Sequence, residues 1–234
     1  MPNEIEIADN LIQLIASGKL KAHDKLPSEN EIAEKYQVPR IVARKAYESL
    51  EDLGYIYKKQ GKGSYVQERL PQIELVLSGD VSFSEKMREK GYNFFSRNIG
   101  CKEIAYNRKI YDYLGADQSD RIYRIGRLRF IDQKPIALHL SYVSRSVFED
   151  IDAVGMNITS MFQYYHSKGY REFAPKPSIL SVVFPTKSQR KLLECTHLVP
   201  LLALESGCAD KKTHMVLDYQ KIFYRSDCFS YVVP

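Results

Sequence analysis

Three stretches decide the fold: Leu26-Pro27-Ser28-Glu29-Asn30-Glu31-Ile32-Ala33, Val38-Pro39-Arg40-Ile41-Val42-Ala43-Arg44-Lys45-Ala46, and Gly61-Lys62-Gly63-Ser64-Tyr65-Val66. Ser28 is suited to cap a helix. Glu31, three residues on, is placed to bond back to the Ser28 amide, which is the reciprocal arrangement of a capping box. The helix so opened is short, because Gln37-Val38-Pro39 breaks it. A second helix starts near Pro39, where proline is tolerated in a first turn. It runs to about Leu53 and stops at Gly54, with Ala43, Ala46, Tyr47, Leu50 and Leu53 forming one apolar stripe. Arg40 and Arg44 lie one turn apart on a neighbouring face, with Lys45 beside them.

Working outward, Ile5, Ala8, Leu11, Ile12 and Ile15 have the spacing of an amphipathic helix that ends at Gly18. On the other side, Tyr55 to Gln60 reads as a strand, Gly61-Lys62-Gly63 as a tight turn, and Ser64-Tyr65-Val66 as the return strand. Helix, short helix, turn, helix and hairpin together make a winged helix-turn-helix. Such a fold leads into the major groove with the start of its second paired helix, here Arg40, Val42 and Arg44. The wing tip sets Lys62 between two glycines, where the backbone can approach a phosphate or the minor groove closely. Each feature alone has an ordinary structural meaning; their order within about 65 residues is what carries the reading.

Charge is a weaker guide. The 234-residue chain has a net charge of +5 and a composition 44% hydrophobic and 27% charged, ordinary for a globular protein. Residues 1–35 carry 4 basic and 7 acidic side chains and residues 36–70 carry 7 and 4, so the first 70 residues are neutral in sum. DNA binding must therefore rest on where individual cations fall. No apolar run approaches a membrane span, and the acidic start, Met-Pro-Asn-Glu-Ile-Glu, is unlike a secretory signal, so a cytoplasmic protein is expected. Cys101, Cys195, Cys208 and Cys228 are widely spaced and read as reduced thiols. No cofactor or metal is expected, since there is no P-loop, H-E-x-x-H or metal-spaced cluster.

Residues 5–67, through the three quoted stretches and Gly54, resemble the DNA-binding domain of the GntR family of bacterial transcription regulators. The resemblance implies contact with double-stranded DNA through Ser28 and Asn30, through Arg40, Val42 and Arg44 with neighbouring Lys45, and through Gln60, Gly61, Lys62 and Gly63 of the wing. The family usually has Ser or Thr at 39, Thr or Pro at 42, and often Arg at 30. Pro39, Val42 and Asn30 depart from that pattern and alter which operator is read.

Glu68 to Gln72 reads as a linker, placing the head at 1–67, the linker at 68–74 and a second domain at 75–234. In the second domain a helix carrying Phe83 and Met87 stops at Gly91. Strand-like runs fall at about 94–106, 121–131, 135–143, 178–184, 200–208, 214–224 and 228–233. Short helices fit at about 109–115, 160–168 and 186–194, the last opened by Thr186 and Gln189. The whole is α+β, with a mixed α/β second domain built on an antiparallel sheet. Alternation along Tyr123–Ile131 puts Arg127 and Arg129 on one face, roughly 7 Å apart, where they can converge on a phosphate or carboxylate. From the strand alone, an exposed face paired with neighbouring carboxylates is the commoner arrangement. The start of the helix near Ser82-Phe83-Ser84 offers unpaired amides, either an anion site or an ordinary cap.

Residues 75–233 look like the effector-binding domain of the HutC subfamily, related in fold to chorismate lyase. The landmarks are Arg127-Leu128-Arg129, Pro135-Ile136-Ala137, Ser160-Met161-Phe162, Leu204-Glu205-Ser206 and Asp218-Tyr219 with Tyr224 and Asp227. That resemblance implies a small anionic effector such as a sugar phosphate. Arg127, Arg129 and the loop at Ser82 and Phe83 would hold its phosphate; His139, Ser160, Phe162, Asp218 and Tyr224 would hold the sugar. The family more often has Glu at 139 and 218 and Tyr at 162; a histidine at 139 can donate, accept or carry charge. A homodimer on a near-palindromic operator follows from the family. The alternative is a chorismate-lyase-type enzyme tethered to DNA, with His139 and Asp218 as an acid–base pair.

Overall fold

The computed structural model describes residues 2–68, 73–76 and 87–232. By contacts the chain divides into two compact units. The first comprises the region through residue 68 together with Phe184–Arg190 and Cys195–Pro200; the second holds the rest.

The first unit is the winged helix-turn-helix. Helix α1 (Glu4–Ala16) is capped by Asn3, whose side chain accepts from the amides of Ile5 and Glu6. Helix α2 (Glu29–Tyr36) begins at the expected capping box: the Glu31 amide donates to Ser28 Oγ at 3.2 Å and the Ser28 amide to Glu31 Oε2 at 2.6 Å. Gln37, in the left-handed region at φ 54°, ends it. Helix α3 (Arg40–Asp52) follows directly, and strands β1 (Ile56–Lys59) and β2 (Gly63–Val66) form the wing. Ile7, Leu11, Ile32, Ala43, Ala46, Tyr47, Leu50, Ile56 and Val66 bury one shared core. The buried Tyr47 hydroxyl donates to the Pro27 carbonyl at 2.5 Å, pinning α3 to the turn before α2. Within the same unit Thr196 Oγ1 donates to the Asp52 carbonyl at the end of α3.

The second unit is built on an antiparallel sheet. Its strands are β4 (Phe94–Glu103), β5 (Ile122–Ile131), β6 (Lys134–Ser144), β7 (Phe173–Pro175), β8 (Ile179–Val183), β9 (Leu201–Asp210) and β10 (Val216–Arg225). Spatial order is β4-β5-β6-β10-β9, with β7 and β8 both paired to β9. Strands β3 (Ile73–Val76) and β11 (Phe229–Val232) form a separate parallel pair. Helix α4 (Arg108–Leu114) packs Ile110, Tyr111 and Leu114 with Ile122, Tyr142 and Tyr219 on one face. Glu205 anchors that face, accepting from the Tyr219 hydroxyl at 2.5 Å and from Lys109 of α4. Helices α5 (Ile151–Val154) and α6 (Met161–Ser167) cover the other face, burying Ile125, Val143, Phe148, Met161 and Tyr165. Helix α7 (Lys187–Leu193), whose first four residues belong to the first unit, starts at the Thr186–Gln189 pair read from the sequence.

This two-sided cover corrects the sequence expectation for Tyr123–Ile131. Only Arg124 in β5 is exposed, so the arginine face is interior, not an exposed face dressed with carboxylates. Period-2 alternation was present, but layers on both sides bury both phases of it.

Candidate DNA-reading surface and effector cluster

In the first unit, α2, α3 and the wing converge on a groove of about 880 Å³ lined by Ser28, Asn30, Arg40, Gln60, Gly61, Lys62 and Gly63. Those are seven of the ten residues expected to meet DNA. Gly61 at φ 70° and Gly63 at φ 106° take backbone conformations open chiefly to glycine, which is what lets the tip fold back so tightly. The Lys62 amide closes the turn onto the Lys59 carbonyl at 2.9 Å. Arg44 and Lys45 are exposed on α3 outside the groove, while Val42 is half-buried against the core and gives only part of its side chain to the surface.

Both arginines of α3 are already engaged. Arg40 donates from Nε and Nη2 to one oxygen of Glu29, at 3.3 and 3.1 Å. Arg44 Nε donates to Glu48 Oε1 at 2.9 Å, one turn along the helix, which raises its pKa further. These are exposed pairs, of the kind that contribute little and are readily exchanged for another anion. Sequence reasoning passed over Lys25, Lys58 and Lys59, which also line the groove. The signal was available in the density of cations along Tyr57-Lys58-Lys59-Gln60-Gly61-Lys62. Lys59 lies over the stacked rings of Tyr57 and Tyr65, at 5.4 and 4.6 Å from their centres.

In the second unit, strand register brings the effector candidates to one face. Arg127 is opposite His139 and His139 opposite Ile222, so Arg127, Arg129, His139, Asp218 and Tyr224 share the side covered by α6. All five are buried. Arg127 Nη2 donates to Ser141 Oγ, and Arg129 Nη1 to the Thr159 carbonyl at 3.1 Å. Arg127 makes no ion pair among the described residues, and its Nε has no hydrogen-bond partner there. Burial lowers the pKa of both guanidiniums, and Arg127 adds to the effect at Arg129. A guanidinium does not surrender its proton near neutrality, so the burden falls on the charge and calls for an anion.

His139 lies buried opposite Arg127. Burial, then Arg129 and Arg127, push its pKa well down. Its ring meets Tyr224 edge-on at 5.7 Å. Asp218 is pushed up by burial against the pull of Tyr165, whose hydroxyl donates to it at 2.7 Å; the Cys208 amide donates at 3.1 Å. His139 and Asp218 do not form an acid–base pair: Asp218 is four residues along β10 from the one opposite His139, about 13 Å at ~3.3 Å per residue. Ser160 Oγ caps α6 by accepting from the Gln163 amide, and Phe162 packs on Phe173 at 4.7 Å. Ser82 and Phe83 lie outside the described residues. Tyr165, the link between α6 and Asp218, was missed; its place at i+4 from Met161 on an apolar helix face gave no sign of the polar contact.

A winged reading head and a sheet domain with buried cations define a DNA-binding transcription regulator with an effector domain. Residues 4–66 match the family model for bacterial regulatory proteins of the gntR family, and residues 89–230 match the UTRA domain. The chain belongs to the GntR family, in its HutC/UTRA-type subfamily. It is similar to the transcriptional repressor NagR of Bacillus subtilis, 31% identical over 143 residues, 61% of this chain and 58% of that protein. It is also similar to the mannosyl-D-glycerate transport/metabolism system repressor MngR of Escherichia coli, 25% identical over 84% of this chain and 81% of that one. Among solved structures, PhnF of Mycobacterium smegmatis shares the fold, with a TM-score of 0.63 at 18% identity, covering 97% of this chain and 99% of that one. Among the described residues no helix is long and apolar enough to cross a membrane.

Proposed function

We propose that this regulator is a repressor that binds a near-palindromic operator as a homodimer and is switched by a small anionic metabolite of the sugar-phosphate class. The observation that carries the effector class is Arg127: a buried guanidinium that, among the described residues, makes no ion pair and leaves its Nε without a hydrogen-bond partner, with a second buried guanidinium two residues away. Leaving such a charge unpaired is costly, and two oxygens of a tetrahedral phosphate can accept side by side from the planar guanidinium fork. A repressor role is supported by relatives named as repressors, one of them of a mannosyl-D-glycerate system. The head, 1–67, reads DNA through Arg40, Arg44 and the wing; the domain from 75 onward takes the effector, with Tyr224 and His139 beside the sugar. Effector acts by binding one arrangement of the heads better than another.

The test is a calorimetric titration of the full chain with a panel of sugar phosphates, carboxylates and uncharged sugars, paired with duplex binding in the presence of each. A sugar phosphate should bind without turnover and change operator affinity, and Arg127→Met should abolish both effects. Equal binding of uncharged sugars, or release of a product, would refute the reading.

A further inference from the structure

We propose that Ile41 reads the 5-methyl group of a thymine in the major groove, as a specificity-determining residue beside the arginines. This rests on the reading of α3 as the helix that enters duplex DNA, and it adds a base that the helix selects. Ile41 is 56% exposed, in the first turn of α3. One exposed isoleucine is ordinary on a protein surface, so its setting decides the matter. The same exposed strip carries Arg40, Arg44 and Lys45, which makes the isoleucine an apolar island among cations. Arg44 and Lys45 stand three and four residues on, against Ile41 on the helix surface. No acidic side chain lies in that first turn. Among the described residues of 2–68, the other large apolar side chain left exposed is Ile5, in the first turn of α1, where Glu4 and Glu6 flank it. Those carboxylates repel a duplex; the cations around Ile41 attract one.

Val42, next along, is half-buried and packs against the core of the head, so Ile41 is the aliphatic side chain of this turn that projects in full. Among the four ordinary bases, a methyl group appears in the major groove only on thymine. An arginine can take a guanine there by two hydrogen bonds, whereas an aliphatic chain has the methyl as its apolar partner. Burying one methyl group changes affinity about four-fold. Side chains at i and i+3 sit ~5–6 Å apart and base pairs stack about 3.4 Å apart. The thymine therefore falls within about two base steps of the pair met by Arg44.

The test uses duplexes that the full chain enriches from a random pool. Each thymine of one enriched half-site is replaced in turn by uracil, which pairs alike and lacks only the methyl group. For the natural protein one of these uracils should lower affinity about four-fold. It should lie within about two steps of the position whose preference relaxes in Arg44→Ala. Ile41→Ala withdraws the aliphatic chain, and alanine is the better helix former, so the head should fold as before. That variant should bind the thymine duplex more weakly by the same factor, and bind the thymine and uracil duplexes alike. A natural protein indifferent to every uracil, or a uracil effect of undiminished size in Ile41→Ala, would overturn the proposal while leaving a DNA-binding regulator standing. A pool that emerges unenriched would refute the regulator reading itself, and the proposal with it.

Discussion

Glu29→Gln is expected to tighten binding to duplex DNA of any sequence, because Glu29 competes with phosphate for Arg40. Arg40 donates twice to one oxygen of Glu29, at 3.1 and 3.3 Å, and its side chain is 68% exposed. To meet a DNA phosphate or base edge the guanidinium must leave that oxygen. An exposed pair is worth ~0.2–1 kcal/mol, and ~1.4 kcal/mol is tenfold in affinity. Removing the competition should therefore raise affinity by about 1.4- to 5-fold at low salt. The glutamine keeps the shape and a polar atom near Arg40, so α2 should fold as before. The assay is fluorescence anisotropy with a labelled non-operator duplex from about 50 to 300 mM salt, the range over which phosphate contacts fade. The gain should be largest at low salt and shrink as screening rises. An unchanged or weakened affinity at low salt would refute the competition and place Arg40 away from the phosphates.

Three further outcomes follow from the same structure. Arg44→Ala should lower operator affinity about 10- to 100-fold and relax sequence preference, whereas Lys62→Ala should weaken binding uniformly and reduce the salt slope by about one, both read by gel shifts across a salt series. Arg127→Met should fold stably, since it removes a buried charge that makes no ion pair among the described residues and leaves an apolar side chain of similar volume in its place. It should also abolish the thermal shift with effector, which at 100 times its dissociation constant is ~2.7 kcal/mol, or about 5–11 °C for a chain of this size. Glu205 tests pH dependence. Burial raises its pKa, but the hydrogen bonds from Lys109 and Tyr219 and the charge of Lys221 outweigh burial and hold it at about 2. A carboxylate depressed in the fold stabilises above its unfolded pKa and loses that contribution as pH falls toward 2. Glu205→Gln should therefore be less stable than the natural protein by about 1–3 kcal/mol at pH 7, allowing for solvent screening, with the gap closing below about pH 4 in denaturant melts.

Much of the head was legible because its signals are local. Ser28 and Glu31 announce a helix start over four residues, Gly61 and Gly63 a turn over three, and the stripe from Ala43 to Leu50 a single buried face. The second domain was legible in its main strands, each long enough for the pattern to repeat. What escaped is non-local or short. Strands β3 and β11 pair across more than 150 residues of sequence, and β7 is three residues ending in proline. Burial of Arg127 and Arg129 was invisible because an arginine looks the same in sequence whether α6 covers it or water does. The pairing of Arg44 with Glu48 was readable from i,i+4 spacing. That of Arg40 with Glu29, across the turn between helices, needed the fold.

The most direct measurement is selection of duplexes from a random pool by the full chain, followed by binding to the enriched sequence with and without sugar phosphates. Recovery of a near-palindrome, with half-sites repeated at about one helical turn and an affinity that changes when an anionic sugar is added, is the expected result. A pool that emerges unenriched, or an enriched site whose affinity ignores every anionic metabolite offered, would contradict it.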